Sequence, residues 1–212
     1  MTANLEKSAG HNLGVLISGR GTNLQSILDA VAERRLAADI AVVISNRADA
    51  AGLQRATAAG VETLVLDHRA HGSREAYDAT LAEALHARDV DLVCLAGFMR
   101  ILSPPFIAAF AGRILNIHPA LLPAFPGVNP PYQAWEHGVK IAGATVHMVD
   151  ESLDGGPIVR QEPVPVLAGD TPESLAARIL EVEHRIYPEA IAEVLEGGWR
   201  IDGRRFIPAG AG

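Results

Sequence analysis

Leu13-Gly14-Val15-Leu16-Ile17-Ser18-Gly19-Arg20-Gly21-Thr22-Asn23 decides the fold. Its first six residues are a short apolar run, the composition of a strand buried on both faces of a parallel sheet. Two glycines break the run, and a helical pattern follows from Leu24 to about Leu36. Strand, tight turn and helix open a βαβ unit. The grammar repeats. Ile40–Ser45, Val61–Leu66, Val90–Ala96 and Arg113–Ile117 read as strands, and Ala48–Gly60 and Ser73–Arg88 as helices. Beyond His118, Pro119, Pro123, Pro126, Pro130 and Pro131 punctuate a long loop. Ile141–Val149 and Ile158–Val166 then read as two strands around an Asp-Gly-Gly turn. Thr171-Pro172-Glu173-Ser174 opens a final helix reaching about Glu196, with Thr171 or Asp170 as N-cap and Pro172 in the first turn. Trp199–Ile207 forms a short tail, with a hairpin around Asp202-Gly203. The alternation predicts an α/β protein of three layers with a mainly parallel, seven-stranded sheet. Residues 1–12 are expected as an N-terminal extension and residues 13–212 as one domain.

The 212 residues suffice for a substantial core, and 49% apolar with 20% charged residues is an ordinary globular composition. A net charge of -7 argues against a broad nucleic-acid or membrane-binding face while allowing a local anion site. The single cysteine, Cys94, lies in an apolar run and reads as a core thiol. The first eleven residues lack the apolar centre of a signal peptide, and no apolar run approaches the ~20 residues of a membrane span. The expected compartment is the cytoplasm.

Candidate chemistry centres on Asn116-Ile117-His118-Pro119. Side chains alternate along a strand, so Asn116 and His118 share a face. Pro119 cannot donate to a sheet ladder and stops the strand there. An amide donor and an imidazole thus stand together at a strand end, where open α/β sheets bind ligands. The bland alternative is a strand that ends in two polar residues. The Gly19–Asn23 turn offers backbone N–H groups at a helix start, an anion site suited to a single terminal phosphate. A dinucleotide is disfavoured, because Leu24 stands where a third glycine belongs and Ser45-Asn46-Arg47 supplies no acid for a ribose. A plain turn remains open as a reading. Asp150-Glu151-Ser152-Leu153-Asp154-Gly155-Gly156 could be a surface turn, or a loop that brings Asp154 to His118, where a carboxylate favours imidazolium. No serine or cysteine nucleophile accompanies these residues, so the attacking group would come from a substrate.

Five stretches in this order resemble the folate-dependent formyltransferases: Ile17–Leu24, Leu95–Leu102, Leu115–Pro119 with Leu121-Leu122-Pro123, Leu153–Pro157, and Glu183-His184-Arg185-Ile186-Tyr187-Pro188. The first and last narrow the resemblance to the phosphoribosylglycinamide formyltransferase family. It covers about residues 13–207 and implies a Rossmann-like formyltransferase fold. It also implies transfer of a formyl group from 10-formyltetrahydrofolate, a co-substrate, to glycinamide ribonucleotide in purine biosynthesis. By resemblance, Asn116, His118 and Asp154 are catalytic. Gly21, Thr22, Asn23, Leu180, Glu181, Val182 and Glu183 would hold the ribonucleotide. Arg74, Met99, Arg100, Ile101, Leu102, Asn116, Asp150, Glu151, Ser152, Leu153 and Asp154 would hold the folate. Arg74 as a solvated charge and Met99 as core filler are the bland alternatives.

Many relatives carry a histidine shortly after Phe-Pro-Gly. This chain reads Pro126-Gly127-Val128-Asn129-Pro130-Pro131, which puts the role of that loop in question. No metal is expected, since the eight histidines show no ligand spacing. The expected partners are small molecules, without nucleic acid or membrane, for a monomer or homodimer. Three other functions remain. Methionyl-tRNA formylation should add a basic RNA-contacting domain. Formyl-folate hydrolysis should add an N-terminal domain, and only about a dozen residues precede the first strand here. A non-catalytic nucleotide-binding module would not need the intact trio.

Overall fold

A computed structural model describes residues 10–210. The first strand, β1, spans His11–Ile17, so His11 and Asn12 belong to the sheet rather than to an extension, and the expectation for residues 1–9 lies outside the described residues. The chain continues through α1 (Thr22–Ala32), β2 (Ala38–Ser45), α2 (Gly52–Ala58), β3 (Thr63–Val65), a 3-10 turn at His68–Ala70, α3 (Arg74–His86) and β4 (Leu92–Leu95). It follows with α4 (Pro104–Ala109), β5 (Ile114–His118), α5 (Pro130–His137), β6 (Ile141–Met148), β7 (Ile158–Pro165), α6 (Pro172–Glu196), β8 (Arg200–Asp202) and β9 (Arg205–Ile207).

The sheet has nine strands in the order β3-β2-β1-β4-β5-β6-β7-β9-β8, two more than the seven expected. The addition is the tail hairpin. Its β9 meets β7 at one pairing, Ile158 with Arg205, too slight a join to read from sequence. β1 to β5 are parallel, and β6 and β7 run antiparallel after the last crossover.

Two apolar clusters fill the three layers, and strand alternation sorts residues between them. Leu13, Val15 and Ile17 of β1 face one way with Cys94 of β4 and Leu115 and Ile117 of β5, against α1 and α6. Leu16, Val93, Leu95 and Ile114 face the other way, against Tyr77 and Leu81 of α3 and Phe106 and Phe110. Cys94 is fully buried, and burial pushes its thiol up to about 12, the inert core thiol expected.

Two short helices were not expected. α4 and α5 both begin with Pro-Pro. Proline has no N–H to lose at the first helical positions, so it is well placed to start a helix there. The prolines of the expected long loop thus include the start of α5. The final helix is capped as expected, with Thr171 and Ser174 bonding reciprocally. Tyr187 of this helix is buried and donates to Leu95 O (3.0 Å) and lies 3.1 Å from Leu115 O, which ties α6 to the end of β4 and the start of β5.

Strand order reverses between β1 and β4, and the carboxyl ends of those strands open a crevice. The glycine turn follows β1, Gly97 follows β4, and Asn116 and His118 end β5.

Candidate active site

The crevice holds a cavity of about 400 Å³. Gly19, Gly21, Thr22, Asn23, Leu180 and Glu183 line it. Gly97 and Met99 line it from β4, and Ile117 and Pro119 from β5. Two hydrogen bonds knit the first two walls together: Ser18 N–H donates to Gly97 O (3.2 Å), and Met99 N–H to Ser18 Oγ (2.9 Å).

Leu180 and Glu183 lie three residues apart and share one face of α6. Glu181 and Val182 do not join them. Glu181 is exposed, and Val182 packs on the core beneath the helix. Each is turned about 100° per residue from the lining face. Glu183 itself is buried. Its Oε2 accepts from Asn23 Nδ2 (2.9 Å), while Asn23 Oδ1 is buried with no partner among the described residues. Burial raises the Glu183 carboxyl from 4.5 to about 7, against the pull of the Asn23 bond.

Beside the cavity stands the second cluster. His118 is nearly buried, with Nε2 2.9 Å from Phe125 O and Nδ1 3.6 Å from Asp154 Oδ2. Both ring nitrogens face acceptors, and only the imidazolium donates at both. Asp154 Oδ2 already accepts from Gly127 N–H (2.8 Å), which holds the carboxylate in place. At 3.6 Å the His118–Asp154 contact is longer than a hydrogen bond, so the carboxylate faces the ring without capping Nδ1.

Asp154 occupies left-handed backbone at φ 50, a conformation that Asp tolerates better than most residues. Gly156 explains how the loop folds back onto the sheet. A Cβ there would lie 1.9 Å from Met148 O, so only glycine allows this approach.

His147 completes the cluster and was not among the residues expected. Antiparallel pairing of β5 with β6 sets it opposite Asn116. Its ring is buried, and Nδ1 lies 2.9 Å from Met148 O. Desolvation lowers its pKa, outweighing the Met148 carbonyl and Asp154. A neutral ring that donates from Nδ1 leaves Nε2 as an acceptor. Asn116 Nδ2 donates to it (3.2 Å), which sets the orientation of the Asn116 amide. Asp154 Oδ1 lies 3.8 Å from the same Nε2.

The segments expected to hold folate divide. Met99, Ile101 and Leu153 are largely exposed apolar side chains, and Met99 lines the cavity. Leu102 is buried in the same apolar cluster as Phe98, against which Val149 also packs. Arg100 lies 5.0 Å over the Tyr77 ring. Asp150 accepts from Ser152 N–H (2.9 Å), and Glu151 and Ser152 are exposed. Arg74 is exposed at the start of α3, and among the described residues its polar side-chain contact is a 3.4 Å one with Glu75, away from the crevice lining. Asn129 is exposed with no side-chain cap bond, at φ 52 before α5. Among the described residues no group of three metal-ligating side chains converges, and no helix is long and apolar enough to cross a membrane.

The formyl transferase family matches residues 11–191, and the chain belongs to it. The chain is 46% identical to phosphoribosylglycinamide formyltransferase of Escherichia coli over 207 residues, covering 94% of this chain and 97% of that protein. It is 49% identical to the trifunctional purine biosynthetic protein adenosine-3 of Drosophila melanogaster, covering 87% of this chain but 14% of that longer protein. The fold matches glycinamide ribonucleotide transformylase 1 from Symbiobacterium toebii with a TM-score of 0.93, at 56% identity and 98% coverage of both chains.

Proposed function

We propose that this chain transfers the formyl group of 10-formyltetrahydrofolate to the primary amine of glycinamide ribonucleotide, a step of purine biosynthesis. The observation that carries the mechanism is the pairing of His118 with Asp154 and of Asn116 with His147 beside a cavity floored by a glycine turn. The ribose phosphate sits on the N–H groups of Gly21, Thr22 and Asn23 at the start of α1, where the helix dipole favours an anion. Leu180 and Glu183 face the rest of the ribonucleotide. Folate lies between residues 99–102 and 150–154, with Met99, Ile101 and Leu153 against its flat ring system.

The amine attacks the formyl carbon and forms the new C–N bond while the carbonyl electron pair moves to oxygen. His118 Nδ1–H and the second N–H of Asn116 Nδ2 donate to that oxyanion. Asp154 balances the imidazolium and takes part in moving the proton that leaves the attacking nitrogen, through water. When the oxyanion collapses, the bond to folate N10 breaks and that nitrogen gains a proton. The chain's own partners are small molecules only. It works as one formyltransferase domain, as a monomer or homodimer, in the cytoplasm.

The test is tetrahydrofolate release from 10-formyltetrahydrofolate by purified protein, with and without glycinamide ribonucleotide. Release that requires the ribonucleotide is the expected result. Release at the same rate without it would identify a hydrolase, and none in either case a binding module.

A further inference from the structure

The Gly19–Asn23 turn is shaped from outside. Gly52, the first residue of α2, donates its N–H to Gly19 O (3.0 Å). Arg55 donates from Nε to Arg20 O (3.0 Å) and from Nη1 to Gln25 Oε1 (3.2 Å) on α1. In a trans peptide, one residue's carbonyl and the next residue's N–H point in opposite directions. Drawing the Gly19 and Arg20 carbonyls towards α2 therefore turns the N–H groups of Arg20 and Gly21 away from it. Those two groups, and the N–H groups of Thr22 and Asn23, donate to no backbone acceptor among the described residues.

The fit is backbone on backbone. A Cβ on Gly21 would lie 2.5 Å from Gly52 Cα, and one on Gly52 would lie 3.1 Å from Gly21 Cα and 3.3 Å from Gly19 O, besides 2.6 Å from the end of the Ile17 side chain. Gly21 also needs its φ of 70, which L side chains rarely adopt. By contrast, a Cβ on Gly19 would meet nothing within 4 Å. The tight glycine of the turn is thus tight because of α2.

We propose that Gly52 and Arg55 are positioning residues that aim the turn's free N–H groups at a terminal phosphate, without touching the phosphate themselves. This rests on reading the turn as the phosphate site of the ribonucleotide. Arg55 serves as a fork, with one nitrogen on the turn carbonyl and another on Gln25 of α1. A lysine ammonium does not reproduce that geometry.

The experiment compares the ribonucleotide with its dephosphorylated nucleoside as formyl acceptors for the parent, Gly52→Ala, Arg55→Met and Arg55→Lys. The parent should strongly prefer the phosphorylated acceptor. Gly52→Ala keeps every charge, and both it and Arg55→Met should raise KM for the ribonucleotide about tenfold, the worth of one charge-assisted hydrogen bond. The KM for formyl-folate, kcat, and kcat/KM with the nucleoside should stay within about twofold by the same reasoning, since they do not use those N–H groups. Arg55→Lys should resemble Arg55→Met. Equal losses with nucleotide and nucleoside would overturn the proposal in favour of a general structural role. Full recovery in Arg55→Lys would overturn it in favour of simple charge. Variants that keep the parent's preference also overturn it, whereas a parent with no preference removes the phosphate site itself. Thermal melts check folding, and if Gly52→Ala does not fold, the half-buried Arg55 variants carry the test.

Discussion

Replacing Glu183 by Gln tests the electrostatics of the crevice with a magnitude that the structure supplies. The carboxyl is buried under α6 and rises from 4.5 to about 7, first because burial disfavours its charge. A carboxyl whose pKa is raised on folding favours the folded state at low pH, and that contribution is lost as pH rises through the folded value. At about 1.4 kcal/mol per pH unit, the folded protein gives up about 3 kcal/mol between pH 4.5 and pH 7. Gln keeps the shape, still accepts from Asn23 Nδ2, and can turn its own N–H towards the unpartnered Asn23 Oδ1. It has no charge to bury. Urea denaturation of parent and variant, without ligands, at pH 5 and pH 8 measures the effect. The two should have similar stability at pH 5, and the variant should be more stable by roughly 2–3 kcal/mol at pH 8. A stability difference that is the same at both pH values would refute the reasoning, because it would show that Glu183 does not titrate in this window.

His118→Ala and Asp154→Asn should each lower turnover by ~10²–10³ at saturating substrates, with ribonucleotide affinity nearly unchanged; parental turnover in Asp154→Asn at neutral pH would remove that carboxylate from the mechanism. Acidification should not rescue Asp154→Asn, since an amide cannot accept the amine's proton, and a pH–turnover profile decides this. His147→Ala removes the acceptor that orients Asn116 and should lower kcat about tenfold with KM values kept, a milder loss than deleting a donor outright; unchanged kcat would make His147 a core residue only. Gly156→Ala puts a Cβ 1.9 Å from Met148 O and should displace the Asp154 loop. Its kcat should fall while inorganic phosphate still protects the variant against thermal unfolding as it does the parent.

The alternation of short, mostly apolar runs with helical patterns made the parallel half of the sheet legible, and glycines mark the turns after β1 and β4. Side-chain alternation along a strand also placed Asn116 and His118 on one face, as the β5 register bears out. The Pro-Pro start of α5 reads as loop in the sequence because proline punctuates both loops and helix beginnings, and the short α4 carries no periodic apolar pattern long enough to announce it. The ninth and eighth strands depend on one long-range pairing. At the site, Gly21, Asn23 and Glu183 line one cavity, since α6 presents one face to the turn. Glu181 and Val182 are adjacent in sequence but not on that face. His147 was illegible for the opposite reason: its partner Asn116 is 31 residues away, and only the β5–β6 register joins them. A polar residue in the apolar strand 141–148 was its one local sign. Gly52 and Arg55 likewise matter through a contact with a turn some thirty residues earlier.

In the proposed reaction, formyl passes directly between two bound small molecules. The most direct test follows a ¹³C-labelled formyl carbon by NMR when purified protein meets labelled 10-formyltetrahydrofolate and glycinamide ribonucleotide in equal amounts. The label should appear as an amide formyl on the ribonucleotide, in step with tetrahydrofolate, and without free formate. Label accumulating as formate, at a rate indifferent to the ribonucleotide, would contradict the account.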